Sequence, residues 1–345
     1  MGVKKLLGYF DVTRQSWLTA RIYAARLVSL FLPQGSQVVE RRAGAQTLEG
    51  AKKVAIFLHY DRRGTVHDYV LHYLMALRRI GFEILFVSNA KQISEADWQK
   101  VAPHAALMLR RNNRGHDFGA FRDAVAELSP RLADLDRLII ANDSVYGPLQ
   151  DLAPLLARCD AGDASVWGVT DSWDRHYHLQ SYFLLFKREA LVHPAFLAFW
   201  RAVRLVPSRS WVIRKYEIGL TRALMKAGLR CAALFPYRAA AAALSGAVRR
   251  QGLLERKDLS DYHRHYANRL FAAVERGDTL NQTHYFWDYL VGEAGCPFIK
   301  RDLLLRNPVR VPYVNQWDEL IRRSSQYDTD LILRHLELIA RGRVV

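Results

Sequence analysis

Cysteine is scarce in this sequence, and long hydrophobic runs are missing. The 345 residues include three cysteines, Cys159, Cys231 and Cys296, which form neither a metal-binding spacing nor an even disulfide framework. No stretch has the uninterrupted apolar length of a transmembrane helix, and the first residues lack the apolar core and cleavage pattern of a signal peptide. Half of the residues are hydrophobic, which is enough for a large core. We therefore expect a cytoplasmic protein.

Acidic residues are too few to balance the basic ones, and the formal net charge is +16. The basic residues are dispersed and no nucleic-acid-binding module is recognisable, so we expect no nucleic-acid partner. Between Thr13 and Leu32, apolar residues recur at helical spacing with arginines between them. They are Trp17, Leu18, Ile22, Ala25, Val28 and Leu32, with Arg14, Arg21 and Arg26. Such a basic amphipathic helix suits an anionic membrane surface, and it suits equally well a helix docked on the body of the protein.

Strand-like and helix-like segments alternate from residue 53 onward. Val54–Leu58 has the composition of a buried strand, a helix is expected from about Val66 to Ile80, and Glu83–Ser88 is the next strand. This alternation predicts an α/β fold with a mostly parallel sheet flanked by helices. We expect a basic extension over 1–50, an α/β domain over 51–240 and a mostly helical region over 241–345.

The most informative segment is Leu138–Leu149, where an apolar run of strand length ends in Asn142-Asp143-Ser144. Side chains at the carboxyl end of a strand face the ligand crevice of an open α/β sheet. A carboxylate delivered there, beside an amide and a hydroxyl, can hold a cation, a ribose or a phosphate-bound metal. The alternative is an N-cap, because these residue types are the preferred caps of helices. The neighbouring segments favour a site.

A second polar segment, Arg110–Arg122, lies upstream and contains Asn113-Arg114-Gly115-His116-Asp117. Glycine permits close approach of a ligand, and the arginine fork matches phosphate geometry. A helical pattern follows, and helix N-termini attract anions. The glycine spacing fits neither a Walker loop nor a dinucleotide-binding fingerprint. We expect an anion-binding loop that faces the same crevice.

Taken in order, these segments resemble the rhamnan synthesis protein F family of bacterial polysaccharide glycosyltransferases. The resemblance covers roughly residues 53–315 and rests on six segments: Val54–Tyr60, Asn113–Asp117, Asn142–Pro148, His178–Phe183, Asn281 with His284 and Trp287, and Cys296–Arg301. It implies a GT-A-like fold in which residues 51–240 bind a nucleotide-sugar and the C-terminal region completes the site.

The resemblance also implies which residues contact the donor. In GT-A enzymes the nucleotide lies across the first strands, and the diphosphate meets a metal held by an Asp-x-Asp motif. Donor-binding roles are therefore expected for His59, Tyr60, Asn113, Arg114, Gly115, Asp117, Asn142, Asp143, Ser144 and Lys300. In the Asp-x-Asp place this chain keeps only Asp143. Either Asp143, with His284 as a further ligand, binds Mg²⁺ or Mn²⁺ together with diphosphate and water, or positive side chains replace the metal.

Two acidic residues are candidates for the catalytic base. Inverting GT-A enzymes often carry an acid before a short helix, and Lys215–Gly228 is similar, with Glu217 in that place. Inversion needs a carboxylate that takes the proton of the acceptor hydroxyl. Asp171, which follows a predicted strand, is the rival. A purely structural role for Glu217, as a negative charge in the first turn of a helix, is the alternative.

His178-Leu179-Gln180-Ser181-Tyr182 mixes polar groups with an aromatic ring. His178, Gln180, Ser181 and Tyr182 are therefore expected to contact the acceptor sugar. The alternative is a strand whose polar residues face solvent.

The sequence and the resemblance together predict an inverting glycosyltransferase. We expect it to move a deoxyhexose, such as rhamnose from dTDP-rhamnose, to a lipid-linked saccharide of a cell-surface polysaccharide such as O-antigen or rhamnan. The basic N-terminus would hold it on the inner face of the cell membrane. The alternative is a catalytically inactive carbohydrate-binding or assembly subunit, which the incomplete acidic motif favours.

Overall fold

A mixed β-sheet forms the centre of the molecule. The computed structural model describes residues 19–258 and 260–341. In chain order the strands are β1 (Val38–Ala43), β2 (Lys53–His59), β3 (Glu83–Ser88), β4 (Leu107–Arg111), β5 (Arg137–Asn142), β6 (Val145–Tyr146), β7 (Val166–Ser172), β8 (His178–Leu179), β9 (Phe183–Lys187), β10 (Cys231–Phe235) and β11 (Ile299–Lys300). Among the described residues, nine of these strands form the sheet, and β6 and β11 form a separate antiparallel pair.

The strand order is β1-β4-β3-β2-β5-β9-β7-β10, with β8 attached to β7. The pairs β2–β3, β3–β4, β2–β5 and β7–β10 are parallel. This arrangement confirms the expected α/β class with a mostly parallel sheet. Three antiparallel strands were not anticipated: β9 lies between β5 and β7, β1 pairs with β4, and β8 pairs with β7.

Helices cover both faces of the sheet and make up most of the C-terminal region. Residues 19–28 are helical and are called α1. The others are α2 (Asp68–Arg79), α3 (Glu95–Val101), α4 (His116–Leu128), α5 (Ala153–Ala161), α6 (Arg188–Leu191), α7 (Pro194–Ala202), α8 (Arg209–Val212), α9 (Ile218–Lys226), α10 (Tyr237–Gln251), α11 (Asp261–Glu275), α12 (Gln282–Tyr285), α13 (Arg301–Arg306), α14 (Trp317–Ser324) and α15 (Asp330–Arg341). Ile213–Glu217 and Tyr289–Glu293 are short π-helical segments.

Side chains of the central strands alternate between two cores, one on each face of the sheet. In β2, Val54, Ile56 and Leu58 belong to the core that includes residues of α4, α7 and α9. Ala55 and Phe57 belong to the core that includes residues of α2, α5 and the C-terminal helices. Burial on both faces explains why β2 reads as a continuous apolar run. Both faces are covered, so the polar ends of the strands are the part of the sheet left for a ligand.

The N-terminal segment has an inward and an outward apolar side. Ile22 is buried in the core on the α4 side of the sheet, and Ala25 packs beside it. Five large apolar side chains remain exposed, and we call them the apolar ridge: Tyr23, Leu27, Val28, Leu30 and Phe31. The predicted positions Arg14, Trp17 and Leu18 lie outside the described residues. Over residues 19–258 and 260–341, no helix combines the length and the apolar composition needed to span a bilayer.

The C-terminal region is connected to the sheet end at β6. Antiparallel pairing matches Ile299 with Tyr146 and Lys300 with Val145. The backbone N–H of Arg301 donates to the carbonyl of Ser144 at 3.0 Å. Residues from the end of the chain are therefore fixed directly beside Asn142-Asp143-Ser144. Two structural elements cross the boundaries expected from the sequence. Strand β1 of the sheet lies within the expected extension 1–50, and helix α10 continues across the expected boundary at residue 240.

Candidate functional site

Asp143 lies at the carboxyl end of β5, where three elements meet. Its carboxylate Oδ2 accepts a hydrogen bond from the backbone N–H of Tyr60 at 3.1 Å and lies 3.0 Å from Nη1 of Arg301. Its own backbone N–H donates to the carbonyl of Leu58 at 3.0 Å. The residues directly after Asp143 form a turn that leads into β6 and not into a helix, so the helix-cap alternative is wrong. Asp143 joins β2, β5 and the C-terminal region.

Arg301 is the positive partner of Asp143, and the sequence analysis did not assign it a role. Its guanidinium also donates to the Asp143 carbonyl at 2.5 Å and lies over the ring of Tyr69, 5.5 Å from its centre. Burial opposes its charge, but Tyr69, Asp143 and Tyr146 raise the pKa of Arg301 above its ordinary value. The guanidinium therefore stays charged. The only signal in the sequence was its position directly after Lys300, beside a β-strand.

The loop before α4 brings a second acid to the same place. Gly115, with a φ of 75°, precedes the helix, and Asp117 lies in its first turn. Asn142 Nδ2 donates to Asp117 Oδ2 at 3.3 Å, and its Oδ1 accepts from the Ser144 hydroxyl at 2.6 Å. Burial raises the pKa of Asp117 to about 6, with further contributions from Asp143 and Glu217. The two polar segments singled out in the sequence therefore do meet.

Lys300 and Glu217 complete this cluster. The Lys300 ammonium lies over the ring of Tyr182, 4.2 Å from its centre. Burial lowers the pKa of Lys300, while the carboxylates of Glu217, Asp302 and Asp117 oppose that shift. The Lys300 ammonium is therefore close enough to these three carboxylates for their charges to interact.

Glu217 ends a π-helical segment between α8 and α9. Such segments are rare and occur frequently at functional sites. Its Oε1 accepts hydrogen bonds from the backbone N–H of Ser181 at 2.9 Å and from the Ser181 hydroxyl at 2.8 Å. The carboxylate is partly exposed, so one oxygen is anchored while the group remains open to a second partner.

Asp171, the rival acid, has a different environment. Its Oδ1 accepts hydrogen bonds from the backbone N–H of Tyr237 at 2.7 Å and from Gln282 Nε2 at 2.8 Å. The residue is only 4% exposed, and burial raises its pKa. Asp171 therefore connects β7 to the start of α10 and to α12.

The predicted acceptor residues are buried and bonded within the fold. Gln180 Oε1 accepts from the Thr170 hydroxyl at 2.7 Å, and the same hydroxyl lies 2.8 Å from the Tyr182 hydroxyl. His178 Nδ1 lies 2.8 Å from the carbonyl of His176. Ser181 differs from the others because it donates to Glu217, the candidate base. The solvent-facing strand alternative is wrong for this segment, since these side chains are at most 9% exposed.

The residues expected to bind the donor differ in accessibility. His59 is fully buried, with Nδ1 3.0 Å from the Ser88 hydroxyl and Nε2 3.1 Å from the Thr65 carbonyl. Burial lowers the pKa of His59, so its ring supports the following loop as a neutral group. In contrast, the side chains of Tyr60, Asn113 and Arg114 are exposed to solvent.

The residues present do not fit the expected metal site. His284 Nε2 lies 3.1 Å from Asp302 Oδ1, whereas Asp143 is paired with Arg301. In the part of the chain that the structure describes, no three His, Cys, Asp or Glu side chains come close enough together to hold a metal ion. A divalent ion here would depend on oxygen atoms from a substrate and from water.

Arg209 is a further basic residue near the cluster that sequence reasoning missed. It is exposed and begins α8. Its positive charge opposes the rise that burial causes in the pKa of Asp117. It adds to the lowering of the pKa of Lys300 by burial and of the pKa of Asp302 by His284. Nothing in the local sequence marks it, because only the folding of α8 against α4 brings it close.

Two known proteins are similar to this chain in sequence. The chain is similar to the uncharacterized protein y4gN of Sinorhizobium fredii, with 32% identity over 201 residues, which are 56% of this chain and 52% of that protein. It is also similar to virulence protein VirA of Vibrio anguillarum, with 27% identity over 289 residues, 81% of this chain and 88% of that protein. The chain thus spans about half the length of the first relative.

Among solved structures, the galactosyltransferase LgtC in complex with donor and acceptor sugar analogues is similar at 13% identity. The match covers 80% of this chain and 98% of that chain, with a TM-score of 0.33. The family model of rhamnan synthesis protein F matches residues 84–246, and the resemblance to this family that the sequence predicts is confirmed over that range.

Proposed function

We propose that this protein is a glycosyltransferase that moves a sugar from a nucleoside diphosphate to a saccharide acceptor. The observation that supports this proposal most is the ion pair between Asp143 and Arg301 at the strand ends, with Lys300 beside it. Two fixed cations at the carboxyl edge of a parallel sheet suit a diphosphate, because arginine and lysine bind phosphate oxygens with charge-assisted hydrogen bonds.

The donor would lie across the ends of β2 and β5. In this proposal Arg301 and Lys300 bind the diphosphate and Asp117 and Asp143 orient the sugar or the ribose. The remaining contacts come from Tyr60, Asn113, Arg114, Gly115, Asn142 and Ser144. His59 acts indirectly, by supporting the loop that follows β2. If Mg²⁺ or Mn²⁺ takes part, Asp143 supplies a single ligand and most of the others come from the diphosphate and water.

Glu217 is proposed as the base of an inverting transfer. The acceptor oxygen forms a bond to the anomeric carbon while the bond from that carbon to the nucleoside diphosphate breaks. The hydroxyl proton passes to Glu217, and the negative charge of the leaving diphosphate is balanced by Arg301 and Lys300. Ser181 would hold the carboxylate in position. Asp171 is the weaker candidate, because two hydrogen bonds already occupy its buried Oδ1.

For the substrates, we propose a deoxyhexose donor such as dTDP-rhamnose and a lipid-linked saccharide of a cell-surface polysaccharide such as O-antigen or rhamnan. Acceptors of this kind stay at the membrane. The apolar ridge, with Arg26 and Lys215 close to the ring of Trp211, supports peripheral binding to an anionic membrane on its cytoplasmic side.

The second candidate is a carbohydrate-binding or assembly subunit without catalysis. One observation favours it: the Asp-x-Asp place keeps a single acid, and that acid is already neutralised by Arg301. Such a subunit would bind a nucleoside diphosphate or a saccharide without releasing nucleotide from a donor.

Thermal unfolding with UDP, dTDP and GDP, each with Mn²⁺ and with EDTA, tests the donor site. A ligand at 100 times its dissociation constant should stabilise the fold by about 2.7 kcal/mol. Arg301→Gln should abolish the ligand-induced shift in melting temperature, because the diphosphate loses its main cation. The exposed Arg201→Gln on α7 is the matched control and should keep the shift. If no nucleotide shifts the wild type, the donor site is refuted; binding without release of nucleotide from sugar donors would favour the second candidate.

A further inference from the structure

An open cavity of about 540 Å³ lies in the C-terminal region, away from the strand ends. It is bounded by α11, by the loop that follows α13 and by the start of α14. Its volume is within the range of pockets that hold small ligands. The candidate donor site uses none of the residues that line it.

Aromatic rings form one wall of this cavity. Tyr313 stacks on His263 with ring centres 3.6 Å apart and an angle of 7° between the planes. Tyr313 and Tyr262 are 39% and 59% exposed. Part of each ring therefore remains open to a ligand, although His263 covers one face of Tyr313. Trp317 lines the cavity at the start of α14.

The loop that carries Tyr313 has an unfavourable backbone. Asn307, Arg310 and Tyr313 have φ values of 39°, 52° and 60°, a region that side chains other than glycine rarely adopt. Asn307 holds the loop by two hydrogen bonds of 2.8 Å with the backbone of Val311. Strain of this kind is concentrated at ligand-binding segments. Tyr313, at the end of this strained loop, is one of the residues that line the cavity.

Polar groups accompany the rings. Asn315 is exposed and lines the cavity, and the Tyr262 hydroxyl lies at its edge, where it donates to the carbonyl of Arg310 at 3.3 Å. A sugar ring has an apolar face that packs on an aromatic ring and hydroxyls around its edge that bond to amides and phenols. An acyl chain would use the rings but leave Asn315 without a partner.

The cavity and the candidate site are connected by one short helix. Arg301, the partner of Asp143, is the first residue of α13, and Leu304 and Asn307 at its other end line the cavity. At 1.5 Å per residue, α13 separates the two places by roughly 9 Å. A glycan of a few sugar units can bridge that distance.

We propose that this cavity is a saccharide subsite that binds a sugar unit of the acceptor glycan remote from the reacting hydroxyl. The proposal rests on the proposed transferase function for the identity of the glycan. Its direct consequence is saccharide binding by the Tyr313 and Tyr262 rings, which can be measured without turnover.

Saturation-transfer NMR on the full chain tests the subsite, with methyl α-L-rhamnoside, methyl α-D-mannoside and methyl α-D-galactoside as probes. At least one glycoside should bind the wild type, and Tyr313→Ala and Tyr262→Ala should each weaken it roughly three- to tenfold, because a ring contact is lost. Tyr23→Ala, which removes an exposed ring far from the cavity in sequence, is the control and should bind normally.

Three outcomes would overturn the subsite: no glycoside binds the wild type, the glycosides bind Tyr313→Ala and Tyr262→Ala as well as the wild type, or decanoate displaces the bound glycoside and binds more tightly. The thermal shift by UDP, dTDP or GDP should stay unchanged in both variants, which also verifies that they fold. The nucleotide-induced thermal shift therefore tests the donor site independently of the saccharide subsite. Its absence in the wild type refutes the donor site, whereas loss of glycoside binding alone concerns only this cavity.

Discussion

At Glu217, the two hydrogen bonds from Ser181 fix one carboxylate oxygen and leave the other for a substrate. Glu217→Gln keeps the size of the side chain but cannot accept a proton. We expect it to slow transfer by a factor of roughly 10² to 10⁴ with little change in nucleotide affinity. Initial rates and a nucleotide titration measure the two effects. Asp171→Asn is the comparison: if it abolishes transfer while Glu217→Gln is nearly normal, the base is Asp171.

The pKa of Asp117 gives a prediction about stability. Its folded-state value of about 6 lies above the ordinary value of 3.8, so the folded protein holds this proton more tightly than the unfolded chain. The free energy of unfolding should therefore fall as the pH rises from about 4 to about 6, since the unfolded state releases the proton first. Asp117→Asn should remove this decline and be more stable than the wild type at pH 7.

Urea unfolding at pH 4, 5, 6 and 7 measures the difference between the two proteins. Asp174→Asn, at an exposed acid, serves as the control and should follow the wild-type curve. A decline of the same size in the Asp117→Asn protein would mean that other groups cause it. The measurement also distinguishes a functional role of Asp117 from a structural one, because a residue that lowers the stability of the fold is expected at a functional site.

Helix α4 is held to the sheet by a buried ion pair. Arg111, 1% exposed at the end of β4, donates from Nε to Asp123 Oδ2 at 2.9 Å, and its Nη2 bonds to the Arg114 carbonyl at 2.8 Å. The backbone N–H of Gln37 also bonds to Asp123 at 3.1 Å. Arg111 therefore ties both the helix and the loop just before Asp117 to the end of β4.

Asp123→Ala should lower the free energy of unfolding by about 3–5 kcal/mol, because the buried Arg111 guanidinium keeps its bonds to Asn89 and the Arg114 carbonyl but loses its carboxylate counter-ion. Asp160→Ala, which breaks the surface pair with Arg137, should cost less than about 1 kcal/mol. Urea denaturation compares the two. If the two variants lose the same free energy of unfolding, the buried Arg111–Asp123 pair stabilises the fold no more than a surface pair does.

The elements that could be predicted from the sequence are those with a local signal. The continuous apolar run of β2, the strand end at Asn142 and the glycine before α4 can each be recognised from a few consecutive residues. The structure confirms all three. The antiparallel orientation of β9 depends on its pairing with β5 and β7. A local sequence pattern does not show which strands will pair. Arg301 was missed for the same reason, because its role arises from pairing between β11 and β6 across a long sequence separation.

On the scale of the whole molecule, a net charge of +16 and the apolar ridge favour the same partner. Anionic vesicles should bind the protein, and binding should weaken as salt screens the charges. The double variant Leu27→Ser/Phe31→Ser should reduce binding in a sedimentation assay without loss of cooperative unfolding, since both side chains are exposed. Leu338→Ser, at a similarly exposed leucine on α15, should bind like the wild type. If the ridge variant also binds normally, the membrane-contact proposal fails.

The pairing of Asp143 with Arg301 joins residues that are 158 positions apart in the chain. During synthesis, at about 5–20 residues per second, Asp143 is made roughly 10–30 s before its counter-ion exists. In that interval the strand end carries an acid without its cation, and Lys300 and Arg301, the residues proposed to bind the diphosphate, have not been made. In the proposed donor site Arg301 binds the diphosphate, so a nascent chain that stops short of Arg301 should not hold a nucleoside diphosphate.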